Sequence, residues 1–82
     1  MFAVEDKIKG CLMKIGLPKV PATDRTPLVD CGLDSLFSVM LVFELDRTFG
    51  VRVPATDVTN ENFATVEAIA GLIGRLGAKV AP

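Results

Sequence analysis

Histidine, tryptophan and tyrosine are all absent from this 82-residue chain. A serine nucleophile ordinarily needs a histidine base, and zinc sites commonly recruit histidine, so both chemistries lose their usual partner. Cysteine is scarce as well: Cys11 and Cys31 stand alone. They show no metal-ligand spacing, so no metal site is expected. They also do not form the dense framework of a small secreted domain, and two partly buried thiols are expected instead. There is no basic surplus, since nine Lys and Arg face ten Asp and Glu for a net charge of -1. That balance argues against a nucleic-acid partner. No purely apolar run is longer than Val39 to Phe43, far short of the ~20 residues that cross a bilayer. The opening MFAVEDKIKG has no basic segment leading into an apolar run, so no secretory signal is expected. These absences lead to the expectation of a cytoplasmic chain with no membrane insertion.

Half of the residues are hydrophobic, enough for a compact fold, and the length suits one domain over 1–82. Val4, Ile8, Cys11, Leu12 and Ile15 recur at helical spacing, which predicts a helix over about 2–16 that stops at Gly16 and Pro18. Residues 17–34 hold Pro18, Pro21 and Pro27 and read as a long loop with room for one short helical turn. A second helix is expected over 35–49, with Asp34 as its cap and Gly50 as its end. The stretch VRVPATDV that follows carries Pro54 and reads as an extended connector. A short helical turn is expected at 59–63 behind Thr59, and a last helix over 65–77 capped by Thr65. The sum is an all-α bundle of three main helices and one short helix.

The second helix carries more apolar residues than one buried stripe needs. Leu41, Leu45 and Phe49 follow one core-facing line, with Val42 and Leu36 taken as lying beside it. Phe37, Met40 and Phe43 are expected to lie well round from that line. Either the helix is central and covered on several sides, or part of it faces a partner. Between residues 26 and 46 stand Asp30, Asp34, Glu44 and Asp46 with no Lys or Arg, so the region around Ser35 is locally acidic.

Ser35 itself has three readings. It is a first-turn residue behind an Asp cap, or a nucleophile, or a site of covalent modification. Catalysis is disfavoured by the missing histidine and the small size, and no catalytic residue is expected. A phosphate ester at a helix N-terminus would be favoured by free backbone N–H groups and the helix dipole. The residues permit that reading without selecting it.

The stretch DCGLDSLFSVMLVFELDRTFGVRVPATDV resembles the heart of the acyl carrier protein family. The likeness rests on Gly32, Leu33, Asp34, Ser35 and Leu36, then on Phe49–Gly50, then on Val51, Arg52, Val53 and Pro54. It includes the Thr65–Val66 helix opening and spans about residues 3 to 77. The resemblance implies a four-helix bundle in which Ser35 carries 4'-phosphopantetheine, delivered from coenzyme A by a separate transferase, with Asp34 assisting. The arm's thiol would hold an acyl or aminoacyl group as a thioester. The chain would be a shuttle and not an enzyme, serving fatty-acid, polyketide or nonribosomal-type metabolism. Partners would be the phosphopantetheinyl transferase, an acyl- or aminoacyl-activating ligase and downstream acyl-transfer enzymes, which would dock on Leu36, Phe37, Met40, Asp30 and Glu44 of a monomer. Fatty-acid carriers are strongly acidic along this helix, whereas Phe37, Met40, Arg47 and Thr48 stand here. The stretch VTNENFATVEAIAGLI resembles discrete carriers that work beside dedicated adenylating ligases, including aminoacyl carriers. The competing expectation is an unmodified helical module for protein–protein interaction.

Overall fold

The computed structural model describes residues 3–77, so Phe2 in the first expected helix and the tail 78–82 lie outside the described residues. Three α-helices carry the fold: α1 (Val4–Lys14), α2 (Ser35–Phe49) and α3 (Val66–Arg75). No strand occurs among the described residues. Helix α1 packs against both α2 and α3. It has no side-chain cap, but Glu5 and Asp6 lie in its first turn and Lys14 in its last, in accord with the helix dipole.

The core is one apolar cluster. Ile8, Cys11 and Leu12 enter it from α1, Leu41, Leu45 and Phe49 from α2, and Val66, Ile69, Leu72 and Ile73 from α3. Leu17, Leu28, Cys31, Val53 and Phe63 close it from the loops. Among the described residues no polar or charged residue is buried in it, so little desolvation cost offsets the apolar burial.

The long loop is pinned rather than free. Leu28 N–H donates to the Ala64 carbonyl at 2.8 Å, Glu67 N–H to the Asp24 carbonyl at 2.9 Å, and Lys19 N–H to the Cys31 carbonyl at 3.1 Å. The Lys9 ammonium lies 2.8 Å from an Asp24 carboxylate oxygen, joining α1 to the loop. That hydrogen bond, more than the neighbouring acids, raises the Lys9 pKa above its ordinary value. Leu28–Cys31 winds into a 3₁₀ turn ended by Gly32, whose φ of 99° is left-handed. A Cβ at Gly32 would stand 2.8 Å from Pro18 Cγ, so the loop crosses itself here at a separation only glycine allows.

The connector differs in detail from the expectation. It is extended through Pro54 and then forms a 3₁₀ turn over Ala55–Asp57. Residues 60–63 form a hydrogen-bonded turn instead of a helix. Thr59 heads it as expected, accepting from Phe63 N–H at its carbonyl (3.1 Å) and from Asn62 N–H at its hydroxyl (3.1 Å). Propagation stops after one turn because Thr65 leaves helical geometry to cap α3, accepting from Ala68 N–H at 3.0 Å.

Candidate functional site

Asp34 starts α2 with extended backbone, and its Oδ1 accepts from Phe37 N–H at 2.9 Å. This cap orients the whole first turn. Ser38 Oγ donates back to the Asp34 carbonyl at 2.8 Å, which ties up the second hydroxyl of the turn. Among the described residues the Ser35 side chain makes no hydrogen bond of this kind, and Ser35 is exposed. First-turn amides have no carbonyl one turn earlier in their own helix to bond. The Ser35 hydroxyl therefore sits at the electropositive end of a fifteen-residue helix, where a phosphate ester would be stabilised.

A partly open groove of about 810 Å³ lies beside it. Leu33, Asp34, Ser35, Ser38 and Val39 form one wall. Pro27 and Val29 of the loop form a second, and Val58, Thr59, Asn60, Phe63 and Ala64 the third. The lining is mostly apolar, with the hydroxyls of Ser38 and Thr59 and the amide of Asn60 among it. A prosthetic group esterified at Ser35 fits here: the hydroxyl is free, the helix end suits a phosphate, and the groove leaves space beside it.

The expected docking residues divide. Leu36 is 68% exposed, contrary to its expected place beside the core line, and Met40 is 37% exposed. Phe37, expected to point outward, is half-buried and packs against the core cluster. The reason is helical phase. Phe37 precedes Leu41 by four residues and so falls about 40° from it, whereas Leu36 falls about 140° away. The spacing 37, 41, 45, 49 was the signal available in the sequence. The outward stripe is Leu36, Val39, Met40 and Phe43, of which Val39 and Phe43 are the more exposed pair after Leu36.

The acids divide too. Asp30 and Asp34 are exposed, Asp34 directly before Ser35 in the chain. Glu44 turns toward α1 instead: its carboxylate is 3.8 Å from Lys14 Nζ and 3.6 Å from Arg47, with its side chain only 15% exposed. Asp46 Oδ1 accepts from Val53 N–H at 3.1 Å and holds the connector to α2. The local excess of acid is thus half consumed inside the fold. Beside Glu44, Cys11 Sγ lies 3.3 Å from Thr48 Oγ1, and burial pushes its thiol pKa up while that hydrogen bond opposes the shift. Both cysteines are buried free thiols, and no metal-ligating cluster occurs among the described residues.

The profile of the phosphopantetheine attachment site family matches residues 6–73. The chain belongs to that family of carrier proteins. As a member of that family, this carrier takes covalently bound 4'-phosphopantetheine. It is 35% identical over 69 residues to aminoacyl carrier protein 1 of Bradyrhizobium diazoefficiens, covering 80% of this chain and 72% of that protein. It is 33% identical over 69 residues to the D-alanyl carrier protein of Streptococcus uberis, covering 83% and 87%. Among solved structures it resembles a chain of the engineered Bradyrhizobium japonicum glycine:[carrier protein] ligase complexed with carrier protein from Agrobacterium tumefaciens and ATP. That match has a TM-score of 0.78 at 25% identity, over 89% of this carrier and 99% of that chain. The corresponding complex with AMP matches with a TM-score of 0.75 at 26% identity, over 85% and 97%. No helix among the described residues is long and apolar enough to cross a membrane.

Proposed function

We propose that Ser35 is the attachment residue and that the cargo is an aminoacyl group loaded by a dedicated adenylating ligase. The observation that carries the first part is the exposed Ser35 hydroxyl at the capped head of α2, opening on the groove. The aminoacyl and D-alanyl carriers among the relatives, and the amino-acid ligase in the similar complexes, support the second. When attached, the prosthetic group supplies a terminal thiol that carries the acyl unit as a thioester.

The chain's own residues then have limited tasks. Ser35 tethers. Asp34 holds the first turn through Phe37 N–H and keeps an exposed carboxylate beside the serine for the transferase to use. Leu36, Val39, Met40 and Phe43 offer an apolar face next to the tether, while Asp30 and Asp34 add negative charge at its Ser35 end. Phe37 supports that face from behind, and Glu44 holds α2 to Lys14 of α1. On this reading the carrier performs no chemistry itself and works in the cytoplasm.

The deciding experiment is co-expression with a broad-specificity phosphopantetheinyl transferase, followed by intact-mass measurement. Wild type gains one phosphopantetheine unit. Ser35→Ala gains nothing and keeps its helical circular dichroism. A bare wild type, or a modified Ser35→Ala, overturns the assignment.

A further inference from the structure

The third wall of the groove, Val58 to Ala64, contains no regular helix, yet it must keep its distance from Ser35 for the groove to exist. Phe63 anchors one end of it in the core. The other end hangs on a side chain that does not line the groove at all. Asn62 Nδ2 donates to the Asp57 carbonyl at 2.9 Å, at the point where the chain enters the wall, beside the bond that Thr59 N–H makes to the same oxygen at 3.0 Å. Asn62 Oδ1 accepts from Arg75 Nη2 at 3.0 Å, in the last turn of α3. A primary amide can present either end, but a guanidinium only donates and a carbonyl only accepts. Arg75 therefore selects the one amide orientation in which Asn62 can hold Asp57. The link runs from α3, through Asn62, to the start of the wall, without touching the groove.

We propose that Asn62 and Arg75 are positioning residues for the modification of Ser35: together they set the wall that a transferase must pass to reach the hydroxyl. The proposal rests on the assignment of Ser35. Asn62→Asp keeps size and the acceptor for Arg75, but it replaces the donor to Asp57 with an oxygen that faces a carbonyl. Arg75→Gln keeps a shorter donor, Arg75→Lys keeps the charge, and Arg75→Leu keeps neither.

The test measures transfer of phosphopantetheine from coenzyme A to the apo-protein by a broad-specificity transferase, with ¹⁵N–¹H spectra of the same samples. Asn62→Asp is expected to raise KM for the apo-carrier by about fivefold, the size of losing one neutral hydrogen bond, with kcat little changed. Its amide shifts should move at Val58 to Ala64 and stay put in α1. Arg75→Leu should behave alike, and Arg75→Lys should recover part of the loss. Wild-type KM in Asn62→Asp and Arg75→Leu, with both folded, overturns the proposal while leaving Ser35 intact as the tether. Should Asn62→Asp fail to fold, the Arg75 pair decides alone, because Arg75 is exposed. Absence of any transfer to wild type would instead refute the assignment of Ser35.

Discussion

Phe43→Ala separates a docking face from a core face. With 65% of Phe43 exposed, about 130 Å² of the roughly 200 Å² an aromatic side chain brings is free for a partner to cover. At about 25 cal/mol per Å² that area is worth about 3 kcal/mol, an upper bound of about a hundredfold in binding. The covered third is worth about 1.7 kcal/mol on the same scale, and the better helix propensity of alanine returns about 0.5 kcal/mol. The net loss of stability is then about 1 kcal/mol, or about 4–8 °C in a domain of this size. Leu45 is fully buried, and Leu45→Ala should cost about 2–5 kcal/mol. Thermal circular dichroism and loading kinetics with the cognate ligase make the comparison. Phe43→Ala should raise KM by about tenfold or more while melting well above Leu45→Ala. Equal melting temperatures for the two, or unchanged loading in Phe43→Ala, would refute the stripe as a docking face.

Phe37→Asp should destabilise the fold, because it places a charge where a half-buried ring meets the core; melting should fall by more than in Leu36→Asp. Loading should fall only modestly from low to high salt, because Glu44 and Asp46 are engaged within the fold and the exposed stripe is apolar, leaving Asp30 and Asp34 as the exposed acids of this region; a steep loss of rate with salt would count against it. Gly32→Ala should lower stability by about 1–2 kcal/mol or more from the left-handed φ alone, with the contact to Pro18 adding to it, as read by chemical denaturation. Cys11 should resist iodoacetamide at neutral pH. Its folded pKa is raised, so the folded state holds the thiol proton more tightly than the unfolded chain. That contribution is present below the unfolded thiol's pKa and is lost as pH rises through the folded one, which a pH series of denaturation midpoints will display.

Much of the site was legible because its determinants are local. Asp34 caps α2 and Gly50 ends it in the left-handed region, so the expected 35–49 and the observed Ser35–Phe49 coincide. Thr65 capped α3 for the same reason. Thr59 marks the stretch at 59–63 in the sequence, but one turn has too few hydrogen bonds to continue as a helix against the demands of the next cap. Leu36 and Phe37 exchange their expected places because the first half of α2 is apolar on more than one side. Composition is silent on that point when both sides are greasy, and only the phase of 37, 41, 45 and 49 carried it.

The order of residues alone determined the cap and the end of α2 and the cap of α3, since each depends on neighbours within a few positions. Tertiary packing decided the rest. It turned Glu44 toward Lys14, drew Phe37 inward, left Leu36, Val39 and Phe43 uncovered, and hung the far wall of the groove on Asn62. Those outcomes depend on contacts between segments distant along the chain, and such contacts exist only once α1 and α3 have taken their places.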